Sequence, residues 1–188
     1  MRTVCVYCGS SNGSSPAYAD AARRLGETLV ERDLGLVYGG AHVGLMGVVA
    51  DAVLAGGGTV VGVIPAGLRD KELAHTGLTE LHVVDTMHER KQLMAEVADA
   101  FVALPGGTGT LDELFETFTW LQLGLHSKPI GLLDVEGYWR PLVAFLDTAV
   151  DAGFLPREHA DAMLLRDDPD ALLDAFATWL PPHHEKWQ

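Results

Sequence analysis

Apolar residues along the chain follow two alternating rhythms. Short, nearly continuous apolar runs occupy Thr3–Cys8, Leu34–Tyr38, Thr59–Ile64, Ala100–Leu104 and Ile130–Leu133. Between them lie longer segments in which apolar residues recur three and four positions apart, the period of an amphipathic helix. These segments predict helices from about Pro16 to Arg32, with Ala21, Leu25, Leu29 and Val30 on the apolar face, and then over Val43–Leu54, Met87–Ala98, Thr110–Leu125, Trp139–Ala152 and Pro169–Leu180. Gly56-Gly57-Gly58 closes the second helix as a C-cap and reversal. Further strands are predicted at Glu80–Val84 and near Met163–Leu165, with Pro65–Gly77 irregular and Pro181–Gln188 a loose polar tail.

Continuous apolar runs mark strands buried on both faces, hence a parallel sheet covered by helices. Strands alternating with helices define an α/β, doubly wound (Rossmann-like) architecture. A mostly parallel sheet of about six or seven strands, helices on both faces, is expected. Without linkers, repeats or low-complexity blocks, residues 1–180 read as one Rossmann-like domain, a length that allows a sizeable core.

Charge narrows the partners. Twenty-six acidic residues against 13 basic give a net charge of −13. Such a chain is repelled by nucleic acid and by anionic lipid. No run approaches the roughly 18 apolar residues of a membrane helix, and the start shows no secretory pattern, so a cytoplasmic location is expected. A small anion can still bind where backbone amides and a few cations converge. Cys5 and Cys8, three apart on a strand, point to opposite faces, which argues against a redox pair.

In a doubly wound sheet the ligand crevice lies beyond the carboxyl ends of the strands. Four unusual turns follow strands: Cys8-Gly9-Ser10-Ser11, Tyr38-Gly39-Gly40-Ala41, Asp85 through Lys91, and Pro105 through Glu113. They are expected to gather along one edge. Gly106-Gly107-Thr108-Gly109-Thr110 is the sharpest signal. Glycines there would take positive φ and approach a ligand closely, and the helix that follows offers free N–H groups to an anion. A bare strand-to-helix turn is the plainer reading. The loop lacks the Gly-Lys-Ser/Thr of a P-loop, and Asp112 stands where a dinucleotide fingerprint from Gly107 needs glycine.

Two carboxylates carry an ambiguity. Thr110-Leu111-Asp112-Glu113 spells a capping box, which pattern alone favours; the functional alternative places the Glu113 carboxylate in the crevice, where it could meet a sugar. Thr86-Met87-His88-Glu89 spells the same box, so Glu89 is read as a cap. Arg90 and Lys91 are out of place near a helix N-terminus, where cations oppose the macrodipole at a cost of about 0.3–1 kcal/mol each. A bound anion or a surface salt bridge would offset that. The eight histidines are scattered and His88-Glu89-Arg90-Lys91-Gln92 lacks a second histidine, so neither metal nor cofactor is expected. Leu111, Leu114, Phe115, Phe118, Leu121 and Leu125 form an apolar stripe that Trp120 and Leu123 widen. This predicts a homodimer through the Thr110–Leu125 helix, or else a core helix covered by the C-terminal segment.

Taken together, these residues resemble the Lonely Guy (LOG) family. Pro105 through Glu113 is similar to its Pro-Gly-Gly-x-Gly-Thr-x-x-Glu signature, and Met87-His88-Glu89-Arg90-Lys91 to its second. Cys8-Gly9-Ser10, Tyr38-Gly39-Gly40, Gly44-Leu45-Met46-Gly47, Gly124-Leu125-His126-x-Lys128-Pro129 and Gly137-Tyr138 follow in the family's order. The resemblance spans Val4 to about Leu165. It implies a phosphoribohydrolase that releases free base and ribose 5-phosphate from AMP and N6-prenylated AMP, the cytokinin nucleotides. It implies Arg90 and Glu113 as the catalytic pair. Substrate contacts are implied at Glu72, Lys91, Gly107, Thr108, Gly109, Thr110, Leu111, Asp112, Glu113 and Thr119, and the strand-end argument adds Gly9, Ser10 and Gly106. Homodimers or larger assemblies are implied too. Many members carry a third glycine where this chain has Ala41, which places the shape of that loop in question. Some members have been called lysine decarboxylases, which the loop chemistry does not support.

Two rival functions remain at this level. A non-catalytic carrier of a phosphorylated ligand, such as a molybdenum-cofactor protein, would leave Arg90 and Glu113 with no reaction to perform. A purely structural dimerisation domain would leave the four gathered turns unexplained.

Overall fold

The computed structural model describes residues 1–71 and 73–182. Its strands are β1 (Thr3–Tyr7), β2 (Gly35–Tyr38), β3 (Val60–Pro65), β4 (Glu80–Val84), β5 (Ala100–Ala103), β6 (Ile130–Leu133) and β7 (Met163–Arg166). Its helices are α1 (Pro16–Glu31), α2 (Gly44–Ala55), α3 (Ala66–Arg69), α4 (Met87–Val97), α5 (Thr108–Gln122), α6 (Arg140–Asp151), α7 (Arg157–Ala162) and α8 (Pro169–Thr178). The seven strands form one sheet in the order β4-β3-β2-β1-β5-β6-β7, with every pairing parallel.

Alternate residues of each central strand feed opposite cores. Val4, Val6 and Cys8 pack with α1, α2 and α8. Cys5 and Tyr7 pack with residues of α4, α5, α6 and α7. The two thiols therefore point apart as expected; both are buried and free, and burial pushes both well above the usual thiol range. Burial on both faces explains why the sequence shows continuous apolar runs instead of alternation.

Two short helices, α3 and α7, arise in segments without helical periodicity. A larger departure concerns α5, which starts at Thr108, two residues before the expected Thr110. Its end at Gln122 leaves Leu123 and Leu125 outside the helix and exposed (51% and 69%). Glu113 and Thr117 are buried on α5, so that helix is not apolar all round. At the other end of the chain, Arg32 Nη2 and Nη1 pair with Asp170 and Asp174 at 2.8 and 2.6 Å and tie α1 to α8. From residue 183 the expected loose tail lies outside the described residues. Among the described residues no helix is long and apolar enough to cross a membrane.

The strand order has its reversal between β1 and β5. From β1 the chain turns to α1 on one face, and from β5 to α5 on the other. The two connections diverge and leave a crevice between them, the topological switch point where such sheets seat ligands.

Candidate active site

The crevice is stitched before it is lined. Leu104 N donates to Tyr7 O at 2.9 Å and Gly9 N to Pro105 O at 3.1 Å, which ties the turn after β1 to the turn after β5. A Cβ on Gly106 would fall 2.1 Å from Thr110 Oγ1 and 2.8 Å from Gly9 N, so only glycine fits. The expected positive φ is not found at Gly106, Gly107 or Gly109. Close approach, not left-handed backbone, explains the glycine at 106. At Gly107 and Gly109 a Cβ would meet nothing within 4 Å.

Gly107 is the N-cap of α5, and no side chain caps this end. The first helical bond runs from Leu111 N to Gly107 O at 3.1 Å. The N–H groups of Thr108, Gly109 and Thr110 thus lack intrahelical acceptors and carry the positive end of the helix dipole. The capping box expected at Thr110 and Glu113 does not form. Because the helix begins early, Thr110 lies inside it, and a residue in its interior has no cap to make. Glu113 is released to face the crevice, where it is only 8% exposed.

Opposite stands Arg90. The cap of α4 forms as expected: Thr86 Oγ1 accepts from Glu89 N at 3.1 Å, and Glu89 Oε2 from Asp85 N at 2.9 Å. One residue further, Arg90 is buried. Its Nε donates to Val63 O at 3.1 Å, and its Nη1 lies 3.2 Å from Glu113 Oε1. Gly39 makes room for it, since a Cβ there would fall 1.7 Å from Arg90 Nη2. Burial pushes the Glu113 carboxyl above its ordinary value, while the Arg90 guanidinium pulls in the opposite direction.

Lys91 does a different job from its neighbour. Its Nζ lies 3.0 Å from both Asp112 Oδ2 and Glu116 Oε2. Burial alone would lower this ammonium's pKa, but the carboxylates of Glu116 and Asp112 outweigh it and hold it raised. The neighbouring cations therefore divide: Arg90 faces the crevice, while Lys91 takes the salt-bridge role and braces α4 against α5.

A cleft of about 370 Å³ opens between these elements. Ser10, Arg90, Thr108, Thr110 and Glu113 supply its polar wall, with Gly107 and Gly109; Val43, Met46, Ile64, Leu68 and Leu73 supply the apolar one. A neighbouring cavity of about 350 Å³ shares Ser10 and Gly107 and is lined also by Gly9, Gly106 and Tyr138. A larger open groove of about 590 Å³ lies between α1 and α2; it holds none of the strand-end turns. Lys91, Leu111, Asp112 and Thr119 do not line the cleft. Leu111 packs in the core, and Thr119 is exposed with Oγ1 donating to Phe115 O at 2.7 Å. Thr119 stands six positions beyond Glu113, the last lining residue on α5, a rise of about 9 Å along the helix. Glu72 lies outside the described residues. Ala41 takes no positive φ; Gly40 does, at 74°, so alanine is accommodated without strain.

Leu68, Leu73 and Tyr138 were not singled out for the site from sequence. Leu68 and Leu73 sit in the irregular segment, where two apolar residues among Arg69, Asp70 and Lys71 were the available signal.

A crevice at the β1/β5 switch point, faced by open amides of a helix N-terminus, places the protein among Rossmann-like α/β proteins. Its solved structural neighbours share the fold. The molybdenum cofactor binding protein of Rippkaea orientalis matches with a TM-score of 0.72 at 17% identity, over 95% of this chain and 96% of its own. The molybdenum cofactor carrier protein of Chlamydomonas reinhardtii gives 0.72 at 20%, over 95% and 98%. The chain belongs to the LOG family. Cytokinin riboside 5'-monophosphate phosphoribohydrolase LOG7 of Arabidopsis thaliana is 54% identical over 82% of this chain and 71% of its own length. LOG2 of the same plant is 46% identical over 98% and 87%. The family described as "Possible lysine decarboxylase" matches residues 46–176. No lysine lines the cleft among the described residues.

Proposed function

We propose that the protein hydrolyses the N-glycosidic bond of AMP and of N6-prenylated AMP, releasing free base and ribose 5-phosphate. The observation that carries this reading is the buried Arg90–Glu113 pair, 3.2 Å apart, beside the open amides of Thr108–Thr110. Those amides and the helix dipole suit a 5′-phosphate. The apolar wall of Met46, Ile64, Leu68 and Leu73 suits a purine.

Cleavage of the C1′–N bond develops positive charge on the ribose, as in glycoside hydrolysis. The Glu113 carboxylate stabilises that charge and orients the water that adds to C1′. The C1′–N bond breaks as the water oxygen bonds to C1′, one proton of the water ends on the departing base nitrogen so that neutral base and ribose 5-phosphate result, and Arg90 holds the nucleotide in register. Anchoring the phosphate supplies binding energy remote from the reacting bond, so adenosine should be a poor substrate.

Pairing of two copies through α5 belongs to the same reading. The exposed Leu123 and Leu125 beyond its end support it. So does Thr119, which is exposed on α5 and does not line the cleft of its own chain. The deciding experiment is chromatographic detection of adenine from AMP, and of base from its isopentenyl form, with wild type and Glu113→Gln side by side. Release that vanishes in the variant supports the reading. Phosphate-compound binding without release would favour a carrier, a role that leaves the pair idle.

A further inference from the structure

The connection between β6 and α6 presents a side chain that the reaction above leaves without a role. Asp134 accepts hydrogen bonds from Trp139 N at 2.9 Å and Arg140 Nε at 3.3 Å. The turn they close takes Glu136 and Gly137 through φ of 54° and 77°. The Trp139 indole donates to Ala103 O at 3.2 Å, which pins the turn to β5. Tyr138 is thereby held against the Gly-rich loop. Its ring stands edge-on to Tyr18 and Trp139, with centroids 6.0 and 5.0 Å away, and its hydroxyl donates to Gly106 O.

That carbonyl belongs to a peptide unit flanked by two glycines. Such a unit can rotate at little steric cost, so the loop by itself does not determine which way its N–H points. In a trans peptide the N–H lies opposite the C=O. With the Gly106 carbonyl held on Tyr138, the Gly107 N–H points away from Tyr138. Tyr138 lines the neighbouring cavity and not the cleft, whereas Gly107 borders both. We propose that Tyr138 is a positioning residue: its hydroxyl holds the Gly106–Gly107 peptide so that Gly107 N–H joins the amides of Thr108–Thr110 in binding the substrate's phosphate. This rests on the phosphoribohydrolase reading for the identity of the phosphate compound.

Tyr138→Phe keeps the ring and removes the hydroxyl. Titration calorimetry with ribose 5-phosphate and, separately, with adenine reads binding without turnover. The Kd for ribose 5-phosphate should rise about tenfold, the loss of one well-placed hydrogen bond, with the Kd for adenine and the melting temperature unchanged. An unchanged Kd for ribose 5-phosphate would overturn the proposal. So would equal weakening of both probes, the mark of a general structural role, or failure of wild type to bind ribose 5-phosphate. Base release from AMP, assayed on the same wild-type sample, decides the reaction separately. Ribose 5-phosphate binding without release sinks the hydrolase and leaves the Tyr138 comparison valid.

Discussion

Arg90 Nη1 stands 3.2 Å from Glu113 Oε1, a cation from α4 meeting a carboxylate from α5 at the head of the sheet, with both residues only 8% exposed. Neither charge has much water to answer it, so each depends on the other until a ligand arrives. Glu113→Gln keeps volume and hydrogen-bonding capacity while removing the charge. We expect kcat for base release to fall by about 10²–10⁴, the range for a positioned catalytic group, with KM for AMP little changed. Near-wild-type turnover would return Glu113 to a structural role.

The same pair predicts a pH-dependent stability. Burial raises the Glu113 carboxyl above its reference of 4.5, and Arg90 opposes the rise. The stability linked to a raised carboxyl is present below the unfolded value and is lost as pH rises through the folded one. Arg90→Met removes the opposing cation, so this loss should deepen, reaching about 3–5 kcal/mol at neutral pH for an unpaired buried charge. Urea denaturation at acidic and neutral pH reads it. Adding Glu113→Gln should flatten the dependence; parallel curves for wild type and Arg90→Met would refute the account.

Gly39 has no part in the chemistry, yet its substitution should abolish activity. A methyl at this position would lie 1.7 Å from Arg90 Nη2 and 2.5 Å from Met46 Cε. Both are ends of flexible side chains, so the fold can adjust by expelling the guanidinium from the cleft. Gly39→Ala should therefore lose at least as much kcat/KM as Arg90→Met while remaining folded by circular dichroism.

Gly106 and Gly107 should respond in opposite ways. Gly106→Ala drives a methyl against Gly9 N and Thr110 and should destabilise by about 1–3 kcal/mol, the range for overpacking. Gly107→Ala meets open space; it should melt like wild type but raise KM for AMP several-fold by crowding the phosphate. Thermal melts and steady-state kinetics on both variants test the contrast.

Exposed Leu123 and Leu125 make the proposed pairing of two copies testable. Leu123→Asp combined with Leu125→Asp should shift sedimentation from dimer to monomer and leave the melting of the monomer fold intact. An unchanged sedimentation coefficient would overturn pairing through these two residues.

The strands and most helices were legible in the sequence because burial on both faces writes itself as continuous apolar runs, and one-sided burial as a helical period. The gathering of the strand-end turns followed from topology alone. The role of Glu113 was legible only through the family resemblance. Its local pattern spelled a capping box, and only the early start of α5 at Thr108 removed it from that duty. The residue pattern by itself did not separate Arg90 from its neighbour Lys91. Successive helix positions face about 100° apart, which sent one into the cleft and the other to Asp112 and Glu116.

What the sequence by itself determined is the sheet, the edge on which ligands bind and the family to which the chain belongs, since these depend on local periodicity and on short motifs in order. Tertiary structure decided how Arg90 and Glu113 are brought together, that Lys91 meets Asp112 and Glu116, why Gly39 and Gly106 must be glycine, and that Tyr138 reaches a loop 32 residues away. Those outcomes depend on contacts between segments distant in the chain, and no local pattern encodes a distance between two helices.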